Sequence, residues 1–301
     1  MNNPNLAVKI GKLKLKNPVM AASGTFGDEY SEISDIKSLG VIIAKTVTLN
    51  PRTGNSAPRI AETASGMLNA IGLENKGVDY FIKEKLPALK KSGGPIIASI
   101  AGDNEEEFKK LAKKFDGTPG IAAIELNLSC PNVKHGNRKG LIAQDPVAVG
   151  EIVKAVKGVT GLTIIAKLSP NVTDITEIAK AAESAGADAV SLVNTFIGMA
   201  INVDTRKPIL GNITGGLSGP AIKPLALRMV WDVHSAVDIP IIGIGGIMDW
   251  KDALEFIIAG ATAIQIGTAT FVNPNSAAEI VKGIRRYLIE KKIRDINDLR
   301  G

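Results

Sequence analysis

Eight short runs of apolar and β-branched residues, each closing at or beside a Gly, Asn, Ser, Thr or Lys, constrain this chain more than any other feature. They are Val19–Ser23, Val41–Thr46, Pro95–Ile100, Ile121–Leu128, Thr163–Leu168, Ala189–Asn194, Ile239–Ile244 and Ala263–Gly267. Runs without polar alternation fit parallel strands covered on both faces by helices. Helical periodicity fills the intervals at Ser31–Leu39, Val78–Lys91, Asn104–Phe115, Pro146–Val159, Asp174–Ala185, Pro220–Ala236, Asp249–Ala259 and Ser276–Glu290. Gly40, Gly186 and Gly260 stand where left-handed caps are wanted, and Asp249 stands as an N-cap. Eight strand–helix units in 301 residues predict an α/β chain folded as a (β/α)8 TIM barrel, read as one domain over 1–301. The competing arrangement is an open doubly wound sheet; the count of eight and the absence of a composition break favour the barrel. Leu6–Ile10 and Leu13–Leu15, around Gly11–Lys12, predict an N-terminal β-hairpin that plugs the lower mouth. Phe196–Gly219, rich in Gly and Asn, reads as a long functional loop on the C-terminal face.

Composition removes several function classes. The single cysteine, Cys130, forbids an intrachain disulfide and a four-thiolate iron–sulfur cluster held by this chain alone. Two histidines, His135 and His234, leave little for a zinc site, so no metal is expected. The net charge of +6 comes from lysines interleaved with acids, as in Glu105–Glu106–Glu107 ahead of Lys109 and Lys110, which reads as a mixed solvated surface. With 4% aromatic residues there is little to stack on single-stranded nucleic acid. No run approaches a membrane span and the N-terminus has no apolar signal core, so a cytoplasmic chain with neither membrane nor nucleic-acid partner is expected.

In such a barrel, chemistry gathers at the strand C-termini. Those positions hold Lys45, Thr46, Ser99, Asn127, Lys167, Asn194, Thr195, Gly245, Gly246, Gly267 and Thr268. Strand parity puts Glu125, Asn127 and Ser129 on one face. If Asn127 points into the mouth, Glu125 lies one layer lower and needs a partner, Lys45 or Lys167. A kinked strand would instead turn it toward helices or solvent. The glycines ending the last two strands admit close approach of backbone N–H groups to a phosphate. Met248 stands at the third glycine position of Gly243–Met248, so that run is not a dinucleotide fingerprint. Cys130 follows a strand and precedes a proline between two asparagines, a position that favours chemistry over packing. His135 reads as part of an exposed loop and His234 as a structural helix residue.

The run Glu125–Leu126–Asn127–Leu128–Ser129–Cys130–Pro131–Asn132 resembles the dihydroorotate dehydrogenases of pyrimidine (UMP) biosynthesis. So do Ala44–Lys45–Thr46, Asn69–Ala70–Ile71–Gly72–Leu73, Val193–Asn194–Thr195, Gly215–Gly216–Leu217–Ser218–Gly219 and Gly267–Thr268. The similarity runs from Pro18 to about Pro274. It implies a flavoprotein, an oxidoreductase that converts (S)-dihydroorotate to orotate on one FMN per chain. It implies flavin contacts at Ser23, Lys45, Thr46, Asn127, Lys167, Val193, Gly219, Gly245, Gly246, Gly267 and Thr268. The pyrimidine would meet Lys45, Asn69, Ala70, Ile71, Gly72, Leu73, Asn127, Asn132, Asn194 and Thr195. Cys130 is implied as the base that takes the C5 proton while hydride leaves C6. An ordinary thiol titrates near pH ~8.5, so activity is expected to rise toward alkaline pH. Lys167 is implied at the flavin N1/O2 edge.

A cysteine in place of serine resembles the type 1 enzymes. Pro131–Gly136 and Ala221–Arg228 resemble the NAD-linked type 1B branch, whose catalytic chain works with an electron-transfer subunit carrying FAD and a [2Fe-2S] cluster, two of each chain in a heterotetramer. The alternatives are a fumarate-linked type 1A enzyme and, more remotely, a Schiff-base aldolase on a phosphate-binding barrel. Ser99 departs from the family pattern, which has Asn there.

Overall fold

The computed structural model describes residues 3–27, 35–91, 93–129 and 142–301. Each apolar run forms a strand: Val19–Ala21, Val41–Ile43, Ile96–Ile100, Ile121–Asn127, Thr163–Lys167, Ala189–Leu192, Ile241–Ile244 and Ala263–Ile266. They close into a parallel barrel in chain order, with Ile264 of the eighth strand registered on Val19 of the first. Almost every strand residue is buried. One face fills the barrel and the other lies under helices, which is why the runs carry no alternation.

The helices follow for local reasons. Asn104, Asp145 and Asp174 accept hydrogen bonds from first-turn amides of Glu105–Phe115, Pro146–Lys157 and Ile175–Ser184. Asp249 caps Trp250–Ile258 through a reciprocal capping box with Asp252. Replacing Asp249 with alanine is expected to cost about 1 kcal/mol, read as a lower Tm, while Asp249→Ser stays close to the parent. Of the helix expected over Ser31–Leu39, residues 31–34 lie outside the described residues and Ile36–Ser38 forms one 3-10 turn. Residues 78–90 run as a helix with a π stretch at Phe81–Lys85.

Gly186 and Gly260 adopt φ of +94° and +109° and fill their expected cap roles. Gly40 does not: it has no positive φ, and a Cβ there would collide with the Asn17 carbonyl oxygen. Close packing, not handedness, requires that glycine.

The hairpin pairs Val8–Ile10 with Leu13–Leu15 and buries Val8, Ile10, Leu13 and Leu15 in the main core. Its turn sits at the N-terminal end of the barrel, where Lys12 N donates to Thr163 Oγ1 at 3.1 Å.

Phe196–Gly219 corrects the expectation of a loop. Phe196–Met199 and Thr214–Ser218 are antiparallel strands, joined by Gly66–Asn69 and then Ile60–Thr63 in a four-stranded sheet. The glycines that suggested a loop are packing requirements. A Cβ on Gly215 would lie 2.8 Å from the Asn69 carbonyl oxygen, and one on Gly216 would collide with the Thr195 side chain. This sheet lies at the C-terminal mouth, with residues of all four of its strands lining the cavity found there. Among the described residues no helix is long and apolar enough to cross a membrane.

Candidate active site

A cavity of about 620 Å³ opens at the barrel's C-terminal mouth. That volume lies within the ~300–1,000 Å³ range of small-molecule and cofactor sites. Lys45, Thr46, Asn127, Lys167, Val193, Asn194 and Thr195 reach it from strands two, four, five and six or the turns that follow them. Ser23 lines it after the first strand, Gly245 and Gly246 after the seventh, Gly267 and Thr268 after the eighth. The sheet and its adjoining loop bring Asn69, Ala70, Ile71, Gly72, Leu73 and Gly219. Cys130 and Asn132 lie outside the described residues, as does His135. His234 bonds the carbonyl of Gly301 and is structural.

Two polar layers stack along the mouth. In the upper one Thr46 Oγ1 and Ser99 Oγ stand 2.9 Å apart and Asn127 Nδ2 donates to Thr46 Oγ1 at 3.3 Å. Ser129 Oγ donates to Asn127 Oδ1 at 2.9 Å, and Asn194 Nδ2 donates to both Ser129 Oγ and Asn127 Oδ1. These bonds fix the rotation of the Asn127 amide. The departure at Ser99 is thus a short side chain that hydrogen-bonds Thr46.

One layer lower, Glu125 is fully buried, as strand parity required. Its Oε2 accepts from Gln265 Nε2 at 2.6 Å and Ser191 Oγ at 3.0 Å, and its Oε1 lies 3.6 Å from Lys167 Nζ. The partner is therefore Lys167, not Lys45. Burial holds the Lys45 ammonium below the ordinary lysine range; Glu74 opposes this, and the charge on Lys167 adds to it.

Asn171 was missed in the sequence. Its Nδ2 donates to the Thr195 carbonyl at 3.0 Å and its Oδ1 accepts from Ile197 N at 2.9 Å, tying the fifth strand's loop to the upper sheet. Its place just past the end of the fifth strand, in the same position class as Asn127 and Asn194, is the signal that could have found it.

The donor set fits the flavin mononucleotide that the sequence resemblance implies. Lys167 is a buried ammonium at the cavity wall that makes no hydrogen bond to the described residues, so its donors are available to ring acceptors. Gly245 and Gly246 line the wall at φ of +132° and +70°, a backbone turn that glycine adopts readily. Among the described residues no group of three or more His, Cys, Asp or Glu could hold a metal.

A family model described as dihydroorotate dehydrogenase matches residues 5–288. Among curated proteins, "Dihydroorotate dehydrogenase B (NAD(+)), catalytic subunit" of Trichlorobacter lovleyi is 54% identical over 99% of this chain and 98% of its own length. The protein of the same description from Desulforamulus reducens is 56% identical over 99% and 98%. Among solved structures, the dihydroorotate dehydrogenase of Eimeria tenella, crystallised with ferulenol, superposes with a TM-score of 0.79 at 22% identity, covering 99% of this chain and 88% of that one. At that identity the likeness speaks for the fold.

Proposed function

The chain belongs to the dihydroorotate dehydrogenase family, and we propose that it is the catalytic subunit of an NAD-linked enzyme that oxidises (S)-dihydroorotate to orotate in pyrimidine biosynthesis. The observation that carries this reading is a single cavity in which two lysines and a hydrogen-bonded amide cluster converge at the strand C-termini. It is supported by the fit of that donor set to FMN.

FMN bound in the cavity supplies the acceptor for the hydride leaving C6. Cys130, named from the sequence, takes the C5 proton. Asn127 and Asn194 each offer a donor and an acceptor to the cyclic imide edge, and Asn69, Asn132, Thr195 and the backbone of 70–73 complete the enclosure. Lys45 supplies positive charge to the substrate carboxylate. Lys167 would place its positive charge at the ring of bound FMN, where it would favour the reduced cofactor. Gly219, Gly245, Gly246, Gly267 and Thr268 would hold the phosphate end of FMN, and Ser23, Thr46 and Val193 its ring. Residues 1–301 act as one FMN-binding barrel. Electrons leave through a separate subunit carrying FAD and [2Fe-2S], in a cytoplasmic assembly of two catalytic and two electron-transfer chains.

An absorbance scan of the purified chain followed by anaerobic dihydroorotate tests the reading. A flavin band that bleaches on addition, and NAD reduction only with the second subunit present, are the expected results. A colourless chain that takes up no FMN, or a flavin band untouched by dihydroorotate, rejects it.

Lys45 adds a prediction. An anion placed beside its ammonium lifts a value that burial holds down. Orotate binding on the alkaline side therefore takes up protons rather than releasing them. Calorimetry of orotate binding to the FMN-loaded enzyme, in two buffers of different ionisation enthalpy, measures the uptake. Lys45→Met is expected to abolish it.

A further inference from the structure

Glu125 does not line the cavity, yet four barrel strands converge on it. It projects from the fourth, Ser191 and Gln265 donate to it from the sixth and eighth, and Lys167 faces it from the fifth. A buried ion pair contributes little stability compared with well-packed apolar residues of the same volume. Stability therefore does not account for a carboxylate at this depth. The arrangement is also incomplete as it stands: Glu125 Oε1 and Gln265 Oε1 have no hydrogen-bond partner among the described residues. Glu125 Oε2 is held by both neutral donors, which leaves Oε1 turned to the ammonium alone.

We propose that Glu125 is a positioning residue that holds the Lys167 ammonium at the cavity wall, and through Lys167 sets the reduction potential of the bound flavin. The inference rests on the reading that FMN lies against Lys167. The charged groups facing the ammonium are Glu125 from the fourth strand and Lys45 from the end of the second, itself facing Glu74. The third, sixth and eighth strands contribute neutral Ser99, Ser191 and Gln265 to this interior. Lys167, buried and facing a second cation, needs an anion beside it. Glu125 is the carboxylate that pairs with Lys167, whereas Glu74, which acts on Lys45 only through its field, is paired with Arg59.

The sign of the effect separates this role from a bystander charge. Without its counter-ion, the ammonium is no longer held against the cavity wall. Negative charge on the reduced ring then loses its nearest cation, and the potential falls. If Lys167 kept its place without help, removing a nearby carboxylate would raise the potential instead.

The test equilibrates FMN-loaded Glu125→Gln with a reference dye of known potential. The expected result is a shift of at least about tenfold toward oxidised flavin, roughly 30 mV for a two-electron couple. Glu125→Asp, which keeps the carboxylate, is expected to keep most of the parent value. A potential equal to or above the parent's overturns the proposal. Should Glu125→Gln fail to fold, Ser191→Ala weakens the same carboxylate's support. It is expected to move the potential a smaller distance in the same direction, and an unchanged value there overturns the proposal too. Parent enzyme that bleaches with dihydroorotate while Glu125→Gln keeps its potential sinks this inference alone. A parent chain that holds no FMN sinks it together with the functional reading.

Discussion

Cys130→Ser is expected to slow flavin reduction by dihydroorotate at least ~100-fold while FMN stays bound, on the scale of general-base removal. A hydroxyl in place of a thiol keeps the shape and one hydrogen-bond donor, but it is a far weaker base in the neutral range. All but one of the residues proposed to hold FMN lie on other strands and loops, and Asn127 is unchanged, so the absorbance band and the flavin stoichiometry are expected to match the parent. Substrate affinity rests on Lys45 and the asparagine amides, so the loss falls on kcat and leaves orotate binding nearly unchanged. Anaerobic single-turnover mixing reads the step without the second subunit. The rise of the parent's rate toward alkaline pH is expected to disappear over the same range in the variant. A near-parental reduction rate in Cys130→Ser rejects the base assignment and leaves the barrel and its cavity untouched.

The barrel was legible because its strands are buried on both faces, so runs such as Ile121–Asn127 and Thr163–Lys167 needed no partner to be recognised. Parity along one strand was enough to sink Glu125 beneath Asn127. It could not choose between Lys45 and Lys167, because that choice depends on which strand stands next in the closed barrel. The fourth pairs with the fifth, Asn127 against Lys167, and the lysine falls within reach. The upper sheet escaped for the opposite reason. Its strands are short and only half buried, with Gly215 and Gly216 where a β-branched residue would signal extension. Asn69 and Gly216 meet across 147 residues of chain, and no local pattern carries a pairing at that distance. Asn171 went unnoticed for a related reason: its role is to join two segments whose adjacency depends on the sheet.

Lys167→Met tests the lower layer from its other end, and the expected effect on the flavin-free protein is a loss of about 3–5 kcal/mol, the usual cost of breaking a buried pair from one side. The substitution leaves Glu125 with Gln265 and Ser191 as donors and no cation, in an interior where the carboxylate is fully excluded from water. Urea unfolding followed by circular dichroism measures the loss, with an unchanged m-value showing that the folded state keeps its compactness. Adding Glu125→Gln to Lys167→Met is expected to restore most of the stability, because exchanging a whole buried pair for neutral groups is often close to neutral. It is not expected to restore flavin retention, since the ring then meets a thioether where the ammonium stood. The two readouts move apart only if the ion pair serves the ligand rather than the fold. Lys167→Met as stable as the parent would show that Glu125 draws nothing from it. Recovery of FMN binding in the double variant would show that the cation had no part in holding the ring.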